Sequence, residues 1–153
     1  MRLDGQVVVV FGGNGDIGGA IALRMVKEGA TVVPVGRNKT RLKKRLKELT
    51  ALGNSVTDEY SVDITDEKAV KSFFKSVVSK YKRIDTLVCA SGVYANIPAE
   101  KMTTKQWMDV INTNLTGNFI VCREVGNIML KQKKGSIITI GSLGSYVALS
   151  GTT

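Results

Sequence analysis

The chain alternates short β-branched runs with longer segments of helical periodicity. Because Val7 to Val10 show no polar alternation, both faces of the first run are predicted to be covered. The alternation predicts a doubly wound parallel α/β sheet that binds ligands at the carboxyl ends of its strands, near the switch in strand order. Helical periods cover residues 17–29, 39–52, 66–82 and 104–133. The predicted strands are Gln6–Phe11, Thr31–Val35, Ser55–Val62, Ile84–Ala90 and Ser136–Ile140.

Length and composition predict one domain, spanning residues 1–153. The chain is 43% hydrophobic, which is enough for a sizeable core. We expect a soluble, cytoplasmic protein without a membrane segment, because no stretch is long and apolar enough to span a bilayer and no signal peptide opens the chain. The absence of histidine excludes histidine-based acid–base chemistry, and no metal site is predicted. Cys89 and Cys122 lie in apolar runs and are expected to be buried free thiols.

Much of the net charge of +9 lies in residues 37–47. Such a run is compatible with nucleic-acid binding. However, Leu42, Leu46 and Leu49 recur at helical spacing, which favours an amphipathic helix with leucines on the core and lysines in water. We therefore expect no nucleic-acid partner.

A glycine-rich loop follows the first strand and leads into a helix. Gly12, Gly15 and Gly18 are three residues apart, which would permit a tight exit from the strand, close approach to a pyrophosphate and close helix packing. The helix N-terminus would present its positive dipole end to the phosphates. The alternative is a plain tight turn. The candidate cofactor-binding residues of this loop are Gly12, Asn14, Gly15, Asp16, Ile17 and Gly18.

This loop resembles the Thr-Gly-x-x-x-Gly-x-Gly motif of the short-chain dehydrogenase/reductase family, whose fold is Rossmann-like. Phe11 stands where the family has Thr, and Asp16 replaces the middle glycine, while Gly15 supplies a glycine one position earlier. A carboxylate facing phosphate would be repelled. We therefore expect Asp16 to point away and cap the helix start.

The resemblance implies a nicotinamide dinucleotide as cofactor. Many NAD enzymes of this fold end their second strand with an acid for the ribose, whereas Arg37 follows Gly36 here. A guanidinium pairs well with a 2′-phosphate, so we predict NADP(H), with NAD possible. Arg37 could otherwise be an ordinary loop arginine. Asp63 and Ile64 resemble the family pair that contacts adenine, although Asp63 could also cap the helix that begins near Asp66.

The end of the fourth predicted strand is similar to the family's Asn-Asn-Ala-Gly segment, with only Gly92 retained. Cys89 and Ala90 replace the two asparagines, and Phe11, on the adjacent strand, replaces the family's Thr. These changes are consistent with an apolar contact in place of a polar one. Cofactor contacts from Ala90, Ser91 and Gly92 are then expected through backbone atoms.

Two candidate catalytic residues follow from the same resemblance. Asn114, in Asn-Leu-Thr-Gly, matches the asparagine that holds an ordered water of the proton relay, with Asn112 as its rival. Ser142 matches the serine that hydrogen-bonds the substrate oxygen, with Ser145 as the less favoured alternative. Without that role, Ser142 would be a loop serine capping a turn.

The resemblance spans the whole chain and implies a ketone/alcohol oxidoreductase acting on a small molecule, homo-oligomeric when intact. The family's Tyr-x-x-x-Lys does not occur within residues 1–153. We therefore expect an incomplete, inactive portion of the enzyme, with its fifth strand uncovered. The alternative is a cofactor-sensing or regulatory protein without catalysis. The tyrosines that lack a lysine four residues later are Tyr60, Tyr81, Tyr94 and Tyr146.

Overall fold

A single four-stranded parallel sheet organises the described residues, 1–56 and 58–147, of the computed structural model. Its spatial order is β2-β1-β3-β4, so the chain crosses from one side of β1 to the other between β2 and β3. The strands are β1 (Val7–Phe11), β2 (Thr31–Val35), β3 (Thr86–Cys89) and β4 (Ser136–Thr139). This topology is the Rossmann-like doubly wound α/β fold, and its switch point lies between the carboxyl ends of β1 and β3.

Helices cover both faces of the sheet. They are α1 (Asp16–Lys27), α2 (Lys39–Ala51), α3 (Glu67–Tyr81), α4 (Thr104–Ile111) and α5 (Asn118–Gln132). The first three confirm the helical periods read from the sequence. The helical period predicted over 104–133 is also helical in the structure, but its middle, Asn112–Gly117, is π-helical and separates α4 from α5. Such π-helical turns frequently occur at functional sites.

The strand β1 is buried on both faces, as its unbroken valine run predicts. Val8 and Val10 pack in one cluster with Ala22 of α1. Val9 and Phe11 belong to the opposite cluster, together with side chains of α3 and α5. Successive residues of β1 therefore point alternately into two separate cores, and this alternation fixes the register of the central strand.

The segment predicted as the third strand, Ser55–Val62, is not a regular strand in the described residues; residue 57 lies outside them. Its only β contact that the structure describes is an isolated bridge between Val35 and Tyr60. Near the start of β2, the side chain of Asn54 occupies the edge instead, accepting from the Val32 N–H at 3.0 Å and donating to the Val32 carbonyl at 2.7 Å. Because a side chain satisfies these edge groups, that part of β2 needs no strand partner.

All four residues of β4 are exposed, as expected for an uncovered strand. Ile137 and Ile138, on opposite faces, are 42% and 41% exposed. Among the described residues, the helices are too short or too polar to traverse a bilayer.

The two cysteines are free thiols that approach each other in space. Cys89 is buried and Cys122 half-buried, with 3.8 Å between their sulfur atoms. Burial, reinforced by the neighbouring thiol, raises the pKa of Cys89. Phe11 pairs in register with Cys89 and packs its ring on Phe73, at 5.4 Å between centroids. Apolar packing thus links the positions where the family that the sequence resembles has polar side chains.

Candidate cofactor site

The glycine loop leaves β1 at the switch point of the sheet, and two of its glycines are required by close backbone approach. Gly12 has φ +76°, and a Cβ there would lie 2.5 Å from the carbonyl oxygen of Ala90. A Cβ on Gly18 would overlap the Gly12 carbonyl. Gly12 therefore permits the tight exit from the strand, and Gly18 lets α1 start directly against the loop.

The N-terminus of α1 is formed by backbone groups alone. Its N-cap is Gly15, which makes no side-chain hydrogen bond. The prediction that Asp16 caps this helix is wrong: Asp16 is the first helical residue and is exposed, a position favourable to a carboxylate through the helix dipole. Ile17 is also exposed, and Gly18 is buried. The first N–H groups of the helix have no intrahelical acceptor, so they are available to an anion.

A cavity of about 290 Å³ lies beside this loop and reaches the end of β2. Eight of the residues predicted from the sequence line it: Gly12, Asn14, Gly15, Arg37, Ile64, Ala90, Ser91 and Gly92. Four predicted cofactor residues do not: Asp16, Ile17, Gly18 and Asp63. Five further lining residues were missed by the sequence reasoning: Gly36, Asn38, Arg41, Val62 and Thr113.

Arg37 and Asp63 contact each other at the edge of this cavity. The Arg37 Nη1 lies 3.5 Å from the Asp63 Oδ2, and the two side chains are 59% and 41% exposed. The other carboxylate oxygen of Asp63 accepts from the Thr65 N–H at 2.9 Å and the Thr65 hydroxyl at 2.8 Å. Partial burial opposes ionisation of Asp63, but the Thr65 hydrogen bonds and the Arg37 charge outweigh it and hold its pKa below the ordinary value.

Asp63 does not cap α3, since the N-cap is Asp66, whose side chain accepts from the Ala69 N–H at 3.0 Å. The alternative interpretation of Asp63 as a helix cap is therefore wrong. Asp63 instead closes a local turn with Thr65 and leaves one oxygen facing Arg37.

Two asparagines hold the segment between β2 and α2. The amide of Asn14 donates to the Asn38 carbonyl at 3.2 Å. The Asn38 side chain accepts from the Arg41 N–H at 2.9 Å and so caps α2. An Asn before a helical period is a recognisable cap signal, and it would have located Asn38 and the first turn that carries Arg41. Arg41 is thereby the second arginine among the residues that line the cavity.

Asn114 lies in the π-helical segment and binds the loop after β3. Its side-chain oxygen accepts from the Val93 N–H, and its amide donates to the Val93 carbonyl, both at 2.8 Å. Asn114 is exposed, and the neighbouring Leu115 and Phe119 are 64% and 58% exposed. The structure gives Asn114 a bracing contact, while its role toward a relay water stays a prediction.

Ser142 follows β4 at the same edge of the sheet as Gly92, because β3 and β4 are parallel neighbours. Its hydroxyl oxygen accepts from the Gly144 N–H at 3.2 Å and caps the short 3₁₀ helix Leu143–Ser145. Ser142 is exposed and does not line the 290 Å³ cavity. The side chain of the alternative, Ser145, lies outside the described part of the structure.

Two other cavities differ chemically from this site. One of about 530 Å³ adjoins it, sharing Arg37 and Thr113. Another, of about 1020 Å³, lies between α3 and α5 and is lined by lysines and apolar side chains, without the glycine loop or an end of a strand. Of these three cavities, all lined by described residues, the 290 Å³ cavity is the one that combines the glycine loop, a helix N-terminus and two arginines.

A parallel sheet whose first strand runs through a glycine loop into a helix, with a cavity at the switch point, defines the class of dinucleotide-binding α/β proteins. Residues 6–153 match the family model described as short chain dehydrogenase. The chain therefore belongs to the short-chain dehydrogenase family.

Similar proteins cover the chain almost completely. The 3-oxoacyl-(acyl-carrier-protein) reductase of Thermotoga maritima is 37% identical over 153 residues, which are 100% of this chain and 62% of the relative. The D-threitol dehydrogenase of Mycolicibacterium smegmatis is 32% identical over 148 residues, or 97% of this chain and 56% of the relative. The chain thus spans about three fifths of the length of these curated relatives.

Solved structures share the same fold. A metagenomic short-chain oxidoreductase in complex with NADP is 30% identical, with a TM-score of 0.91 over 99% of this chain and 69% of its own. An NAD⁺-bound xylitol dehydrogenase is 28% identical, with a TM-score of 0.91 over 99% of this chain and 58% of its own.

Proposed function

We propose that the full-length protein is an oxidoreductase that transfers a hydride between NADP(H) and a small ketone or alcohol. The observation that carries the proposal is the 290 Å³ cavity, in which the glycine loop meets Arg37 and Arg41. A diphosphate needs N–H donors and a helix N-terminus, and a 2′-phosphate needs cations. Both requirements are met in one cavity.

The lining residues fit the parts of a nicotinamide dinucleotide. Gly12 and Gly15 would receive the diphosphate, and Ile64, which also lines the cavity, would contact adenine. Arg37 and Arg41 would hold the 2′-phosphate. A side chain at Gly36, where an acid would bind a ribose hydroxyl, would overlap the amide of Asn14. Gly36 thus leaves this position without the acid that would bind a ribose hydroxyl, and this absence supports a preference for NADP(H).

The remaining candidates act on the substrate side. When bound, the nicotinamide supplies or accepts the hydride. Ser142 would donate a hydrogen bond to the substrate oxygen; its oxygen accepts from Gly144, so its own proton is free to donate. Asn114 would brace the loop after β3 and offer its carbonyl to a relay water. The proton donor would be the tyrosine of the family's Tyr-x-x-x-Lys, which residues 1–153 do not contain.

The relatives support a carbonyl or alcohol substrate without fixing which one. Their names include a 3-oxoacyl reductase and a D-threitol dehydrogenase. The solved structures bind NADP in one case and NAD⁺ in another. We propose a homo-oligomer of the full-length protein, with a small-molecule substrate as its partner.

The test is a titration of the full-length protein with NADPH and NADH, followed by turnover assays on 3-oxoacyl thioesters, simple ketones and polyols. Tighter binding of NADPH and turnover of at least one substrate are expected. Failure to bind either cofactor would overturn the proposal. Cofactor binding without turnover of any of these substrates would instead support the sensing role.

A further inference from the structure

Arg45 differs from the other cations of α2, because its side chain turns inward. The lysines of the same helix, Lys43, Lys44 and Lys47, are exposed, as an amphipathic helix predicts. The Arg45 side chain is only 17% exposed. A half-buried guanidinium needs hydrogen-bond partners, and those partners connect α2 to the glycine loop.

The Arg45 guanidinium joins two elements. Its Nη1 lies 2.7 Å from the Glu48 Oε2 on the same helix, and its Nη2 donates to the Gly15 carbonyl at 3.3 Å. It reaches the loop by passing over Gly19 of α1, where a Cβ would overlap the guanidinium. The missing side chain at Gly19 therefore opens the path by which Arg45 reaches Gly15.

The Gly15 carbonyl controls the direction of a helix N-terminal amide. It accepts from the Gly19 N–H at 3.1 Å and from Arg45, so two donors hold its orientation. A trans peptide is planar, with its carbonyl and its N–H on opposite sides. Fixing the Gly15 carbonyl toward the helix thus fixes the Asp16 N–H in the opposite direction, out of the N-terminus. Among the described residues, no side chain caps this end of α1.

We infer that Arg45 is a positioning residue that orients the Gly15–Asp16 peptide for the diphosphate of the cofactor. The inference rests on the proposed function, because it assumes that a dinucleotide occupies the glycine loop. Arg45 does not line the cavity, so it acts through Gly15, which does. Because Glu48 offsets part of the Arg45 charge, Arg45 affects the diphosphate site mainly through its hydrogen bond to the Gly15 carbonyl.

This role separates Arg45 from Arg37. A group that orients the diphosphate site affects every ligand with a diphosphate by the same factor, whether or not it carries a 2′-phosphate. Arg37 affects only ligands with that phosphate. ADP, which has the diphosphate, and 2′-AMP, which has only the 2′-phosphate, distinguish the two residues in the full-length protein.

The experiment measures the Kd values of ADP, 2′-AMP, NADPH and NADH by calorimetric titration, with thermal midpoints recorded for each variant. Arg45→Met is expected to weaken ADP, NADPH and NADH equally, by about tenfold, the lower part of the range for a hydrogen bond to a charged group. The affinity of the Arg45→Met variant for 2′-AMP should stay within about twofold of the wild-type value. Lys44→Met, which removes the same charge from the neighbouring exposed position, is the matched control and should leave all four values unchanged.

Gly19→Ala is the second variant, in case Arg45→Met does not fold. Its Cβ displaces the guanidinium, while alanine favours the helix, so weaker ADP binding is expected without a lower thermal midpoint. Wild-type ADP affinity in the folded variants, or an equal loss in Lys44→Met, would overturn the role of Arg45. If the wild-type protein binds neither NADPH nor NADH, the proposed function itself is wrong.

Discussion

Replacing Arg37 by alanine tests the cofactor preference most directly. The guanidinium lies at the cavity edge, 59% exposed and 3.5 Å from one oxygen of Asp63. A 2′-phosphate would compete with that carboxylate for the same guanidinium. The variant thus removes one favourable contact from the complex with NADPH and one weak contact from the free protein.

The magnitude follows from these two contacts. A hydrogen bond to a charged group contributes about 1.5–3 kcal/mol, and an exposed ion pair about 0–1 kcal/mol. The difference between the middle values leaves about 1–2 kcal/mol, or roughly a fivefold to thirtyfold rise in the Kd for NADPH. NADH lacks the 2′-phosphate, so its Kd is expected to change by no more than about twofold.

The assay is a titration of the full-length Arg37→Ala variant with each cofactor at low and at physiological salt. Lys43→Ala, an exposed cation of α2 outside the cavity lining, is the control for long-range charge. Equal losses for NADPH and NADH, or the same selective loss in Lys43→Ala, would refute the assignment of Arg37. In the second case the preference would come from the net positive charge of the segment.

Three further predictions concern catalysis, acid stability and the isolated portion. Ser142→Ala should lower kcat by about a hundredfold or more with little change in cofactor affinity; an unchanged kcat would move the role to Ser145 or remove it. Burial opposes ionisation of Asp85, but Arg83 and the Val7 N–H hold its pKa below the ordinary value. Its contribution to stability is therefore complete above its unfolded pKa and lost as pH falls through the lower folded pKa. Asp85→Asn should lower the free energy of unfolding by about 1–3 kcal/mol at pH 7 and flatten its dependence on acid pH, as measured by urea unfolding. A pH dependence of stability equal to that of the wild type would contradict this role of Asp85. A recombinant 1–153 portion should show no turnover of ketones with NADPH, because it lacks a Tyr-x-x-x-Lys; turnover above the uncatalysed rate would require another acid.

The sequence by itself determined the elements whose signals are local. A run of four valines predicts a strand covered on both faces, and three glycines at a spacing of three predict the turn into α1. Leucines at helical spacing identify the buried face of α2. Arg37 is proposed as a cofactor ligand from the family resemblance, because it follows the strand end at which many NAD enzymes of this fold carry an acid. The strand, turn and helix inferences depend only on neighbours within a few residues.

Tertiary structure decided what depends on residues far apart in the chain. Asn54, rather than a strand, satisfies part of the edge of β2, because its amide reaches both backbone groups of Val32. The Asn114 amide finds its partners on the loop after β3, although it is exposed. In the sequence, Arg45 is one of several cations of a basic helix, and only the fold shows that its guanidinium lies over Gly19. Hydrogen bonds between separate elements have no periodicity in the sequence, so only the packed chain shows them.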